Sequence, residues 1–139
     1  RSAHLRALAA RGFEIGSHTV THPDFRRASP AQIEEEVVAS KRAIENATTL
    51  SVAGLSIPYG SVAHCRKEAF EAARRAGYRY VLSHFDGANF PGDGTFHLRR
   101  VRPSLEGVML LHACIEGWRG VRGLAGGAPP DLSLVDKNS

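Results

Sequence analysis

Two histidines four residues apart, His18 and His22, have the spacing in this sequence that points most directly to chemistry. In an extended strand four residues span roughly 13 Å, too far for both imidazoles to reach one ion at about 2 Å each. In a helical turn, residues i and i+4 lie about 5–6 Å apart on one face, which suits a shared ion. Gly16 and Pro23 flank the pair and favour a turned loop, which makes it a candidate site for zinc or a related transition metal. The alternative is two loop histidines with ordinary hydrogen bonds, because the spacing alone is a weak signal.

The segments around this pair alternate between helical and extended patterns. Gly12 stands where a left-handed residue would end the first helix, while Ser29, Pro30 and Gln32 form a strong helix start with a capping box. The predicted elements are helix 2–11, strand 13–16, helix 30–46, strand 52–57, helix 66–76, strand 78–83, loop 86–94, strand 96–101 and helix 104–124. The helix positions predicted to face the core are Ile33, Val37, Val38, the stem of Lys41, Ile44, Ala69, Phe70 and Ala73.

Helices that alternate with strands predict an α/β protein with parallel strands and crossover helices. Two architectures fit, a small open sheet or the C-terminal part of a (β/α) barrel, which needs about 250 residues. We favour the partial barrel with its N-terminal strands missing, because the chain opens at Arg1 and its only methionine is Met109. Residues 1–124 would then be part of one folded domain, and residues 125–139 a disordered tail.

The sequence around the histidines resembles the polysaccharide deacetylases, carbohydrate esterases that include chitin and peptidoglycan deacetylases. Residues 8–23 read LAARGFEIGSHTVTHP, similar to that family's H-[S/T]-x-x-H-P motif after a helix and a strand. Residues 57–61, IPYGS, resemble its P-Y-G motif, and residues 68–79, EAFEAARRAGYR, resemble the helix and strand that follow. Residues 87–89 and 96–101 are similar to an ending seen in many bacterial members. The resemblance covers about residues 1–101, with the motifs in the expected order.

This resemblance implies that residues 1–124 are the C-terminal part of a deacetylase catalytic domain, a barrel of the deacetylase type. His18 and His22 would be ligands of a divalent metal, most often zinc, with cobalt or manganese as alternatives. Thr19 would brace their loop by a side-chain hydrogen bond. Pro58 and Tyr59 would line the acyl pocket, and the Tyr59 backbone N–H would donate to the developing oxyanion. The reaction would be hydrolysis of an N-acetyl, less often O-acetyl, group on an acetylated carbohydrate polymer or oligomer, releasing acetate.

The chain departs from the family pattern in its first motif, T-F-D-D-G, which is absent. In the family that motif supplies a general base and the third metal ligand. Asp24, Asp86 and Asp93 do not stand in such a sequence, so we expect the pair upstream of Arg1 and expect this chain alone to be weakly active or inactive. Leu110, Leu111 and His112 match the family's final L-L-H motif, whose histidine is a general acid. Against this, Leu105, Val108, His112 and Ile115 keep helical spacing, which favours instead a half-buried histidine on a helix.

The amino-acid composition narrows the classes of protein to which this chain could belong. The chain has 139 residues, 42% of them hydrophobic and 23% charged, which is typical of a soluble globular domain. Its net charge of +4 comes from short pairs of basic residues with no interleaved aromatics, so nucleic acid is not an expected partner. No run approaches the roughly 18 apolar residues of a membrane-spanning helix, and the cysteines, Cys65 and Cys114, are too few for a disulfide framework.

Three functional classes remain open. The first is the deacetylase, which by family analogy would work outside the cytoplasm or at the cell envelope. The second is another metal-dependent amidohydrolase acting on a small amide or cyclic imide, which a deep closed pocket would favour. The third is an inactive fragment that keeps the fold without the chemistry. The oligomeric state is not encoded in any pattern of this sequence.

Overall fold

The computed structural model describes residues 2–85 and 89–100. Its elements in chain order are helix α1 (Ser2–Ala10), helix α2 (Pro30–Thr48), strand β1 (Gly54–Ser56), helix α3 (Lys67–Arg75), strand β2 (Tyr80–Leu82) and a short 3₁₀ helix (Thr95–His97). The helix predicted over 104–124, the predicted tail at 125–139, Asp86 and His112 lie outside the described residues. Within the described ranges, no helix combines the length and apolarity that a membrane crossing would require.

The sheet is parallel, as predicted. β1 and β2 pair with Leu55 opposite Val81, and isolated parallel bridges extend the pairing on both sides, from Leu55 to Ser17 and from Leu82 to Leu98. Four parallel segments therefore lie side by side in a partial α/β fold. Because the segments run in one direction, the loops that follow Ser17, β1 and β2 emerge at the same edge of the sheet.

Two predicted strands are wrong. Residues 13–16 form no ladder, because the Phe13 N–H donates to the Leu8 carbonyl and Gly12 to Ala9, which is the hydrogen-bond pair of a Schellman cap on α1. In place of the predicted strand, this segment forms one isolated parallel bridge, between Ser17 and Leu55. Of the strand predicted over 96–101, the structure describes residues 96–100: the 3₁₀ helix includes Phe96 and His97, and among these described residues only Leu98 forms a bridge to β2.

α2 begins as predicted. The Ser29 hydroxyl accepts the Gln32 N–H at 3.2 Å, the Gln32 side chain accepts the Ser29 N–H at 2.8 Å, and Pro30 is the first helical residue. The helix ends at Thr48, two residues beyond the predicted end, because Thr49 adopts a left-handed conformation with φ 62°.

The core lies between the sheet and helices α2 and α3. The predicted core positions Ile33, Val37, Ala69, Phe70 and Ala73 are buried. Two further predicted positions on α2, Val38 and Ile44, are half-buried. The amine of the half-buried Lys41 donates to the Val52 carbonyl. The remaining buried apolar side chains come mainly from the sheet and the loops: Phe25, Val52, Leu55, Ile57, Ala72, Tyr78 and Val81.

Candidate functional site

The loop at residues 18–23 curls so that its two histidines meet. Thr19 and His22 both adopt left-handed backbone conformations, with φ of 65° and 58°. The His22 N–H donates to the Thr19 hydroxyl at 3.2 Å, which closes the turn in the bracing manner that the resemblance implied. The two imidazole ring centroids lie 4.8 Å apart at an interplanar angle of 76°. The turned geometry, rather than the extended one, therefore holds at this pair.

A backbone carbonyl orients the ring of His18. Its Nδ1 lies 2.7 Å from the carbonyl oxygen of Ser56, at the end of β1. A carbonyl oxygen only accepts, so Nδ1 carries the proton and the lone pair of a neutral ring resides on Nε2. This is the arrangement in which a second partner fixes the tautomer of a metal-binding histidine.

The carboxylate of Glu36, on α2, holds the middle of the same loop. It accepts the N–H of Val20 at 2.7 Å, the N–H of Thr21 at 3.0 Å and the hydroxyl of Thr21 at 2.6 Å. Burial raises the pKa of Glu36, but these hydrogen bonds outweigh burial and hold the pKa below its ordinary value. Sequence reasoning missed this residue. The available signal was its place on α2 beside the buried Ile33 and Val37.

Tyr59 lies against the second histidine. Its ring centroid is 4.9 Å from that of His22, edge to face, and the residue is 52% exposed. Its backbone is left-handed, with φ 60°, and its carbonyl accepts from Nδ1 of His84 at 2.7 Å. Within the described residues the Tyr59 N–H donates to no protein acceptor, so it is available to a ligand.

His64 and Asp24 complete the wall behind Tyr59. The buried ring of His64 stacks on Tyr59 at 5.1 Å, and its two nitrogens face the Ser61 hydroxyl at 2.6 Å and the Asp24 carboxylate at 3.4 Å. The hydrogen bond from Arg26 lowers the pKa of Asp24 to about 2 against the opposing effect of burial. In the sequence, His64 and His84 have no partner at metal-ligand spacing, so surface or core positions without a role are the expectation for both. The structure places both against Tyr59, which no local spacing in the sequence indicated.

The donor set fits a transition-metal ion in part. Two imidazoles with one ring already oriented are suitable ligands, whereas catalytic zinc sites use three protein ligands and a water. Among residues 2–85 and 89–100, no group of three or more His, Cys, Asp or Glu side chains is arranged to hold an ion. Asp93 accepts from the Phe90 N–H in a separate turn. The described residues therefore supply a pair of ligands and not a full set.

Comparison with known proteins connects this site to one family. The family model for polysaccharide deacetylase matches residues 2–81. A chitooligosaccharide deacetylase of Bradyrhizobium sp. (strain ANU 289) is 39% identical over 57 residues, which are 40% of this chain and 26% of that protein. The protein YxkH of Bacillus subtilis (strain 168), described provisionally as a polysaccharide deacetylase, is 29% identical over 100 residues, 72% of this chain and 35% of that protein.

A likeness of fold accompanies these matches. The solved structure of the deacetylase PplD of Streptococcus pyogenes, in complex with acetate, matches with a TM-score of 0.65 at 22% identity. The match covers 71% of this chain and 42% of that one. The chain thus spans about a quarter to a third of the length of the curated relatives it matches.

Proposed function

We infer the function from one premise, that this chain belongs to the polysaccharide deacetylase family. We propose that the protein hydrolyses N-acetyl, less often O-acetyl, groups of an acetylated carbohydrate polymer or oligomer and releases acetate. The observation that carries the proposal is the pair of imidazoles 4.8 Å apart, with His18 oriented by the Ser56 carbonyl. In the full protein the described segments would form part of a (β/α) barrel, which the likeness of fold supports.

We propose that His18 and His22 hold a divalent metal, with zinc the first expectation and cobalt or manganese the alternatives. When bound, such an ion would polarise the acetamide carbonyl and acidify a water molecule. The third ligand and the general base would come from residues outside the described ranges. Because the T-F-D-D-G motif that supplies these groups in the family is absent from the sequence, we expect the 139-residue chain by itself to be weakly active or inactive.

The remaining site residues bind and orient the substrate in this proposal. The Tyr59 N–H, which has no protein acceptor among the described residues, would donate to the carbonyl oxygen as negative charge develops there. The Tyr59 ring would form one wall of the acyl pocket. Its position is maintained by the His64 ring behind it and by the His84 hydrogen bond to its carbonyl.

The exposure of this site favours a polymer over a small amide. Tyr59 is 52% exposed and Val20, on the histidine loop, is 59% exposed. A deep closed pocket would suit a small amide or imide, and the described residues around His22 do not enclose one. An open surface admits a chain of sugars that continues on both sides of the reacting group.

Acetate release from N-acetylated chitooligosaccharides, measured on the protein in its full length, tests the proposal. We expect His18→Ala and His22→Ala each to lower kcat/KM by more than about a hundredfold, because loss of a ligand exceeds the usual effect of losing an outer-shell partner. His4→Ala is the matched control, since His4 is exposed on α1. Unchanged rates in both site variants would contradict the metal assignment. Failure of the unaltered protein to release acetate from acetylated carbohydrates would contradict the deacetylase proposal.

A further inference from the structure

We propose that Glu36 is a positioning residue whose carboxylate holds the imidazoles of His18 and His22 within reach of each other. This inference rests on the proposed function for its link to metal binding, and the positioning itself rests on the hydrogen bonds of the loop. Glu36 contacts neither imidazole in the described structure. It acts through Val20 and Thr21, two of the three residues between the histidines.

Glu36 accepts three hydrogen bonds from Val20 and Thr21, and we call this set of contacts the clamp. One carboxylate oxygen accepts both backbone N–H groups, of Val20 at 2.7 Å and of Thr21 at 3.0 Å. The other oxygen accepts the Thr21 hydroxyl at 2.6 Å. Three donors converging on two oxygens determine both the position and the orientation of this stretch of backbone.

Glu36 lies on a helix that is packed firmly against the core. Glu36 lies in α2 between Ile33 and Val37, which are both fully buried in the core. The capping box of Ser29 and Gln32 secures the start of this helix seven residues before Glu36. A group on a packed helix is held more precisely than a group on a loop, so the loop takes its position from α2.

The loop needs such a restraint because its curled backbone conformation is locally unfavourable. Thr19 and His22 are both non-glycine residues in the left-handed region, a conformation that crowds the Cβ atom of an L-residue against its own backbone. Without the clamp the backbone between them would relax toward extended conformations, in which the histidines separate toward roughly 13 Å. Strained residues of this kind persist where surrounding contacts over-determine them.

A carboxylate suits this role better than an amide. Glutamate offers acceptors on both oxygens, whereas Glu36→Gln replaces one of them with an NH₂ group that would face a donor.

Two substitutions of Thr21 separate its hydroxyl contact from the rest of the clamp. Thr21→Val removes only the hydroxyl contact and keeps the side-chain shape, and Thr21→Ser retains the hydroxyl. Glu35→Gln is the matched control, because Glu35 is the neighbouring exposed residue of the same helix and the change removes the same charge.

Zinc titration of the full 139-residue chain by calorimetry gives the first measurement. His18→Ala defines the signal that belongs to this site. We expect Glu36→Gln to weaken zinc binding about tenfold, as losses of outer-shell partners do, and Thr21→Val to weaken it less. Thr21→Ser and Glu35→Gln should bind as the unaltered chain does. Combining Glu36→Gln with Thr21→Val should weaken binding by less than the product of the single effects, because the two changes remove a shared contact.

Amide hydrogen exchange of Val20 and Thr21 without metal gives the second measurement, with urea unfolding confirming that each variant is folded. We expect faster exchange at both amides in Glu36→Gln and unchanged exchange in Glu35→Gln. If Glu36→Gln exchanges and binds zinc as the unaltered chain does, the inference is overturned. If the unaltered chain binds no zinc through His18, the two imidazoles do not suffice without the third ligand, and the exchange rates alone then decide whether Glu36 holds the loop.

Discussion

Nδ1 of His18 lies 2.7 Å from the carbonyl oxygen of Ser56, 38 positions further along the chain. Ser56 ends β1 and also donates its N–H to the Ser17 carbonyl at 2.9 Å. The same residue therefore pairs with Ser17 in the sheet and orients the imidazole of His18. The ring therefore takes its direction from the sheet itself. Nε2 is left as the nitrogen that can bind a ligand.

This contact predicts the tautomer of His18. In the neutral ring the proton should reside on Nδ1, because the Ser56 carbonyl cannot donate. Nitrogen chemical shifts from long-range proton–nitrogen correlation spectra would distinguish the two tautomers, and added zinc should shift Nε2 of His18 selectively. Detection of the Nε2–H tautomer at His18 in the metal-free chain would contradict the predicted orientation.

Gly60, directly after Tyr59, is predicted to be intolerant of a side chain for two separable reasons. Its φ is +61°, and a Cβ would stand 2.7 Å from the backbone nitrogen of His84. Gly77 has φ +76° but nothing within 4 Å of a built Cβ, so it reports the conformational effect alone. We expect Gly77→Ala to lower the free energy of unfolding by about 1–2 kcal/mol, and Gly60→Ala by about 2–5 kcal/mol because the steric conflict adds.

Urea unfolding of these two variants and the unaltered chain measures both effects under one set of conditions. Equal losses at Gly60 and Gly77 would show that the approach to His84 does not constrain the turn. In that case the position of the Tyr59 backbone would depend on its own conformation and not on the close approach of Gly60 to His84.

Glu36 predicts a pH dependence of stability. Its folded pKa lies below the ordinary value of 4.5, since hydrogen bonds from Thr21 and Val20 outweigh burial. A lowered pKa stabilises the folded state fully above the unfolded value, and this contribution is lost as pH falls through the folded value. The difference in unfolding free energy between the unaltered chain and Glu36→Gln should therefore be constant near neutral pH and shrink below about pH 4.5.

The same comparison in a Thr21→Val background supplies the control. Thr21 provides the shortest of the contacts to Glu36, at 2.6 Å, so its loss should reduce the pH-dependent difference. A difference that keeps its full size down to pH 3 would mean that the folded carboxylate does not depend on these hydrogen bonds.

Cys65 is predicted to be chemically inert in the folded protein. Burial raises the pKa of its thiol to about 12, although the nearby Arg100 acts in the opposite direction. The thiol also donates to the Gly60 carbonyl at 3.4 Å. In a Cys114→Ser variant, iodoacetamide at pH 8 should modify Cys65 slowly until urea unfolds the chain, because the thiolate is the reactive form. Equal rates in folded and unfolded protein would contradict this environment for Cys65.

The helix boundaries show how far local sequence reasoning reaches. The start at Ser29 and the ends at Gly12 and Gly77 were predictable, because their capping hydrogen bonds join residues no more than five positions apart. The strands were less predictable for the same physical reason. At both glycine caps the next N–H, of Phe13 and of Tyr78, is committed to the preceding helix, so ladder pairing starts later than the alternating pattern suggests.

The sequence by itself determined the family, the paired histidines at the end of a parallel segment and the curl that Gly16 and Pro23 favour. It did not identify the groups that hold that pair, because each lies far away in the chain. Glu36 reaches Thr21 across 15 positions and Ser56 reaches His18 across 38. Such contacts form only when α2 and β1 pack beside the loop. Hydrogen bonds between distant residues depend on that packing, and only the tertiary structure decided it.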